Sequence, residues 1–302
     1  METLTSTELA ELVTLETEPE QAGEPEPDLG HEPLRILVAE DHPTNRRLAL
    51  LVLEKLGHHP DIAENGLEAV RAWSERGHDL ILMDCQMPEL DGFDATREIR
   101  RIEAQRASSD RPPVQIFALT ANALTGDRER CLEAGMDGHI SKPLRMRELR
   151  AVLNRGRTTL PQPDVSKSRT DPATNSIDLK ISELEQEFGR EEAVSLLESF
   201  LTDTPGRLAE LRQFATGRKT PDGAPAHRAL AIAAHSVAGS SGLFGLDELR
   251  SLGLKLEELA NRSRELPDLV TKMEEIYAAA LPRLKERHQV KPMPGGEGMC
   301  NS

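Results

Sequence analysis

Leu80-Ile81-Leu82-Met83-Asp84, followed by Cys85-Gln86-Met87-Pro88-Glu89-Leu90-Asp91-Gly92-Phe93, is the stretch that decides the fold. An apolar run of strand length ends in an aspartate and enters a turn bearing proline and glycine. In an alternating α/β pattern such a carboxylate lies at the C-terminal edge of a parallel sheet, where open α/β folds place ligands. Three further runs end in matching chemistry. Leu34 to Ala39 leads into Glu40-Asp41, Val114 to Leu119 into Thr120, and Gly138 to Ser141 into Lys142-Pro143. Acids, a hydroxyl and an ammonium group therefore converge on one sheet edge.

Between these runs the apolar spacing is helical. Pro43 to Leu56, the stretch around Leu67 and Trp73, Phe93 to Ile102, Asp127 to Ala134 and Arg145 to Leu153 each read as one helix, and Asp61-Ile62-Ala63 supplies a fifth strand. Strands alternating with such helices predict a doubly wound five-stranded parallel sheet over residues 34–154, in the order 2-1-3-4-5. Residues 155–176 lose periodicity and read as a linker, with a span of about 25 Å if flexible. Residues 177–287 show helical spacing throughout and predict an all-α bundle. Its helices are expected at Ile177 to Phe188, Glu191 to Phe214 with an interruption at Pro205-Gly206, Ala224 to Ser240, Leu246 to Ala260 and Leu266 to Glu286. Residues 288–302 read as a disordered tail.

Composition narrows the function classes. The 302-residue chain carries a net charge of -15, which argues against a nucleic-acid footprint. Residues 1–33 contain no Lys or Arg and read as a mostly disordered acidic segment, with Leu4, Leu9, Leu12, Val13 and Leu15 as a short amphipathic possibility. No apolar run reaches membrane-spanning length and no signal peptide is evident, so a cytoplasmic protein without membrane insertion is expected. Three scattered cysteines lack metal-ligand spacing and read as reduced thiols.

The five groups at the strand ends closely resemble those of the receiver domain of two-component signalling proteins, a flavodoxin-like fold. The resemblance implies that Asp84 accepts a phosphoryl group. It also implies that Glu40, Asp41, Asp84 and the Gln86 backbone carbonyl hold Mg²⁺, and that the peptide before Pro143 is cis. Magnesium favours oxygen ligands, and phosphoryl transfer asks mainly for positioning and charge neutralisation, here by Thr120 and Lys142. His139 stands where receivers carry Tyr or Phe, which puts a titratable ring at the switch position. Small Ala121 is expected to leave the phosphoryl group accessible, with Gln86 and Asn122 flanking it.

In the helical part, Ala234-His235-Ser236-Val237-Ala238-Gly239-Ser240-Ser241 stands out. Glycine inside a helix costs about 1 kcal/mol relative to alanine. Gly239, one turn after His235, is explained if bare backbone beside an exposed imidazole lets a second protein approach. The stretch resembles the histidine phosphotransfer domain, whose motif is His-x-Leu-Lys-Gly-Ser. His235, Gly239 and Ser240 match, and Ala238 replaces the lysine, for which Arg228 or Lys255 is a substitute.

A Walker A loop, a kinase ATP-binding pattern and a basic recognition helix are not found in the sequence. The chain resembles the C-terminal half of a tripartite hybrid sensor kinase. It is expected to act without kinase chemistry of its own, as a phosphorelay protein between a sensor histidine kinase and a downstream response-regulator receiver, with Asp84 and His235 as phosphoacceptors. The alternative is a phosphorylation-switched interaction module with a silent His235. An aspartate-nucleophile phosphatase is disfavoured, because Gln86 stands where such enzymes need a second aspartate.

Overall fold

Five parallel strands, β1 (Ile36–Ala39), β2 (Asp61–Ala63), β3 (Leu80–Asp84), β4 (Gln115–Thr120) and β5 (Gly138–Ser141), form one sheet in the order β2-β1-β3-β4-β5. This is the predicted order, seen in a computed structural model that describes residues 34–106, 112–121, 125–155, 177–216, 226–260 and 266–289. The strands are joined by α1 (Pro43–Lys55), α2 (Gly66–Arg76), α3 (Gly92–Gln105) and α4 (Thr125–Ala134), and α5 (Met146–Arg155) follows β5. Caps set the helix starts. His42 Nδ1 accepts from the Thr44 N–H ahead of Pro43, and Asp91 accepts from the Asp94 N–H. Gly92 is required by close approach, since a Cβ there would lie 2.0 Å from the Asp84 carbonyl oxygen.

The second half contains α6 (Ile177–Phe188), α7 (Arg190–Ala215), α8 (Ala226–Ser241), a 3₁₀ turn (Gly242–Phe244), α9 (Asp247–Leu259) and α10 (Leu266–Gln289). The expected interruption at Pro205-Gly206 does not occur, and α7 runs through Pro205. Proline forfeits one helical hydrogen bond, but Leu197, Phe200, Leu208 and Leu211 are buried on both sides of it and keep a single axis. The last helix reaches Gln289, two residues into the expected tail. The acidic segment, most of the linker and the rest of the tail lie outside the described residues.

One face of the sheet packs Ala39, Ile81, Met83 and Ile116 under α2 and α3. The other face opens into a second core that continues through Leu48 and Val52 of α1 and Leu149 of α5 to Leu197, Phe200, Val237 and Leu256 of the bundle. Residues from Leu34 onward form a single compact unit, so sheet and bundle are packed on each other rather than merely tethered.

Candidate functional site

Glu40 and Asp41 follow β1, Asp84 ends β3, and their ligand atoms lie within 4.8 Å of one another. All three carboxylates are buried. Lys142 reaches in from the end of β5, with Nζ 2.8 Å from Glu40 Oε2 and 2.7 Å from Asp84 Oδ2. Asn45 Nδ2 donates to Glu40 Oε1 at 3.1 Å, and the Gln86 N–H donates to Asp84 Oδ1 at 3.2 Å. Burial pushes Asp41 up to about 7, helped by the charges of Asp84 and Glu40, while burial and the Asp84 charge raise Glu40. Burial also acts on Asp84, but Lys142 and His235 outweigh it and hold this carboxyl below its usual range. Lys142 is lowered by burial and raised more strongly by Asp84 and Glu40, ending above the ordinary lysine value.

This donor set fits a hard divalent cation. It is all oxygen, and among the described residues Asp41 Oδ1 is buried without a hydrogen-bond partner. Thr120 ends β4 beside Ser141, buried at the same edge. The Lys142–Pro143 peptide is cis, as the resemblance implied.

The bundle covers this edge. His235 Nε2 lies 3.4 Å from Asp84 Oδ1, and its Nδ1 lies 3.1 Å from Glu257 Oε2. The Gln86 side-chain amide also donates to Glu257. Burial lowers the imidazole, but Glu257 and Asp84 outweigh it and push His235 up to about 10. Around this centre Thr44 meets Ser199 at 3.1 Å, Arg47 meets Glu192 at 2.5 Å, and His42 Nε2 meets Asp203 at 3.0 Å. Arg250 donates to the Ala121 and Lys142 carbonyls at 2.8 and 3.3 Å.

Three expectations change. The imidazole expected to be exposed is 4% exposed, because the chain's own sheet edge lies on it. A Cβ at Gly239 would lie 3.1 Å from Asn45 Nδ2 and 3.4 Å from Lys142 Cδ, so the bare backbone does admit a close neighbour, and that neighbour is α1 and the end of β5 of the same chain. Ala121 is buried, its carbonyl held by Arg250, and does not leave the edge open. His139 is half-buried on β5, and Asn122 lies outside the described residues.

The missing lysine has a packing reason. Ala238 is fully buried, and a Cβ added to Gly253 of α9 would come within 3.0 Å of the Ala238 Cβ. These small residues let α8 and α9 approach closely. Ala238→Lys is therefore expected to destabilise the chain by at least about 1–3 kcal/mol through overpacking, without speeding any transfer. Urea denaturation measures it, and an unchanged midpoint would refute the packing argument. Of the proposed substitutes, Arg228 lies 3.6 Å from Asp91 and Lys255 is exposed on α9.

Sequence reasoning missed Glu257, Arg207 and Arg250. One signal was available. Ala233, Ala234, Val237, Ala238, Gly239, Ser240 and Ser241 leave the end of α8 without a charged face, and a helix lacking one is buried all round.

Residues 36–154 match the response regulator receiver domain family and residues 195–289 the Hpt domain family. The chain therefore joins a response regulator receiver domain to an Hpt domain. It is 40% identical over 144 residues to "Probable histidine kinase 1" of Oryza sativa subsp. indica, a match covering 39% of this chain and 15% of that protein. Against "Sensor protein GacS" of Pseudomonas syringae pv. syringae it is 39% identical over 127 residues, covering 42% and 14%. The chain thus spans a small fraction of the relatives' length. Among solved structures, the receiver domain of a sensor histidine kinase from Pseudomonas aeruginosa, with a magnesium ion coordinated in its active-site cleft, is 44% identical. That match covers 41% of this chain and 97% of the other, with a TM-score of 0.37. Among the described residues no helix is long and apolar enough to cross a membrane.

Proposed function

We propose that Asp84 accepts a phosphoryl group from the histidine of a sensor histidine kinase and relays it to, or takes it back from, His235 of the same chain. A downstream receiver completes the relay. On this reading residues 34–154 are the receiver and 177–287 the phosphotransfer bundle, acting in the cytoplasm without kinase chemistry. The 3.4 Å between His235 Nε2 and Asp84 Oδ1 carries the reading, because no residue stands between donor and acceptor atoms.

The step is a substitution at phosphorus. The Nε2 lone pair forms the N–P bond, the Asp84 O–P bond breaks, and its electron pair returns to the carboxylate. Glu257 accepts the Nδ1–H hydrogen bond, which directs the lone pair of Nε2 toward Asp84 and offsets positive charge developing on the ring. Lys142 and Thr120 neutralise the phosphoryl oxygens. Glu40, Asp41, Asp84 and the Gln86 backbone carbonyl would hold a magnesium ion, which would further neutralise that charge. Asp84 Oδ1 and Glu257 make the ring hold its proton more tightly than a free imidazole, and it becomes a nucleophile after releasing the Nε2 proton to solvent. The closed chain also hides Asp84, so a kinase reaches it when bundle and sheet part, which exposes the ring to solvent.

The deciding experiment mixes Asp84→Ala chains with His235→Ala chains in the presence of a phosphorylated kinase. Transfer within one chain labels wild-type His235 with alkali-stable, acid-labile phosphate but leaves His235 of the Asp84→Ala chains in the mixture unlabelled. If no such phosphate forms on His235 from Asp84 or from a foreign receiver, the relay reading fails. The interaction-module reading, favoured by the burial of His235, then takes its place.

Two residue-level outcomes follow from the same geometry. Asp41→Ala is expected to remove Mg²⁺ binding and Mg²⁺-dependent phosphorylation together. Calorimetric titration of Mg²⁺, alongside phosphate incorporation, checks both, and retained binding would contradict the assigned ligands. Glu257→Gln is expected to slow labelling of His235 by about 10- to 100-fold, the kinetic equivalent of a charge-assisted hydrogen bond worth about 1.5–3 kcal/mol. Rapid-quench measurement of the Asp84-to-His235 step checks it, and wild-type kinetics would remove Glu257 from the mechanism.

A further inference from the structure

The closed site gathers negative charge, and one cation that meets it comes from a helix the phosphotransfer motif does not include. Arg207 of α7 places Nη2 3.3 Å from Asp41 Oδ2, while its Nε lies 3.6 Å from Asp203 Oδ2 and its Nη1 3.4 Å from Glu210 Oε2. Asp203 in turn holds His42, the residue next to Asp41. Ser236 Oγ, one residue after His235, donates to the same Asp41 oxygen at 3.5 Å. The guanidinium is thus anchored by bundle acids and reaches across the interface to the edge of the acid cluster.

Charge counting gives this contact a role. Phosphorylated Asp84 contributes up to two negative charges on the phosphoryl group, and Glu40 and Asp41 add one each. A bound Mg²⁺ and the Lys142 ammonium leave one negative charge uncancelled. The lysine that phosphotransfer domains carry three residues after the histidine would cancel it, but here that position is Ala238, packed on Gly253. We propose that Arg207 is a positioning residue for transfer between Asp84 and His235, supplying from α7 the positive charge that Ala238 lacks. It acts through Asp41: it holds that carboxylate and places a positive charge at the edge of the acid cluster when the phosphoryl group is present. Guanidinium suits this place better than ammonium, because its fork bridges Asp41 and Asp203 at once. This inference rests on the relay reading above.

The test uses the full chain in wild-type, Arg207→Ala and Arg207→Lys forms, loaded from a phosphorylated kinase. The rate of His235 labelling is normalised to the phospho-Asp84 formed. Mg²⁺ affinity of the unphosphorylated chains is measured separately by calorimetric titration. The expected result has two opposite signs. Arg207→Ala slows transfer by about tenfold or more, as loss of a charge-stabilising arginine does in phosphoryl transfer. The same variant binds Mg²⁺ several-fold more tightly, because a like charge beside Asp41 is gone. Arg207→Lys recovers part of the rate. Wild-type transfer kinetics in Arg207→Ala, with His235 still labelled, overturns the inference and leaves the relay standing. Slow transfer in both variants with unchanged Mg²⁺ affinity means a merely structural contact and also overturns it. Absence of His235 labelling in the wild-type chain overturns the relay and this inference together.

Discussion

Asp84→Asn is expected to reduce kinase-dependent phosphate on the chain to background at both stations. On the proposed relay the receiver then loses its nucleophile, and His235 loses its donor within the chain. The same substitution has a second consequence, set by what Asp84 touches. Its carboxylate pairs with Lys142 at 2.7 Å and faces His235 at 3.4 Å. Without that charge Lys142 keeps only Glu40 among its two carboxylates, and the imidazolium keeps only Glu257. A buried cation deprived of its counter-ion is costly, so the interface is expected to loosen and His235 to become accessible. Modification of His235 by diethylpyrocarbonate, mapped by mass spectrometry, reads this directly and should be faster in Asp84→Asn than in wild type. Retained phosphate on Asp84→Asn receivers would assign the phosphoacceptor elsewhere, and unchanged modification would show the interface to be held by its rim.

The rim is substantial, which explains how much of the site a sequence reader finds and where reading stops. Glu40, Asp41, Asp84, Thr120 and Lys142 were legible because each ends a strand, and a parallel sheet aligns strand ends on one edge whatever the intervening lengths. His235 was legible because Gly239 is an unfavourable residue in a helix and demands a reason. Glu257, Arg207 and Arg250 were not. Arg207 lies on α7 and both Glu257 and Arg250 on α9, met by the receiver only through the packing of these helices in the bundle, and no spacing rule links residues across helices. The pairs Arg47–Glu192 and Arg228–Asp91 run in opposite senses across the interface. Net charge by domain therefore carries no trace of their complementarity. Ala238 shows the same gap in another form. As a motif position it read as a missing charge. As a packed residue against Gly253 it is a requirement of helix approach, and the charge is supplied from α7.

Phe200→Ala should separate the two stations. Phe200 is fully buried, with its ring centroid 4.8 Å from Phe244 and 6.1 Å, edge-on, from Tyr277. It therefore joins α7, the turn after α8, and α10 in one cluster. Truncating a buried phenylalanine to alanine costs about 3–5 kcal/mol, a large part of the 5–15 kcal/mol that holds a typical domain. The helix it seats also carries Glu192, Ser199, Asp203 and Arg207, the side chains that meet the receiver. Loss of its seat should remove that docking face. The receiver, by contrast, has a core of its own under α2 and α3 that no bundle residue enters. The expected outcome is a chain whose Asp84 still takes phosphate from a kinase while His235 labelling disappears. Calorimetry should then show a bundle transition shifted to lower temperature, with the receiver transition retained. Loss of Asp84 phosphorylation along with His235 labelling, in a single lowered transition, would mean that the continuous core through α1 and α5 makes sheet and bundle one cooperative unit, and that neither station exists without the other.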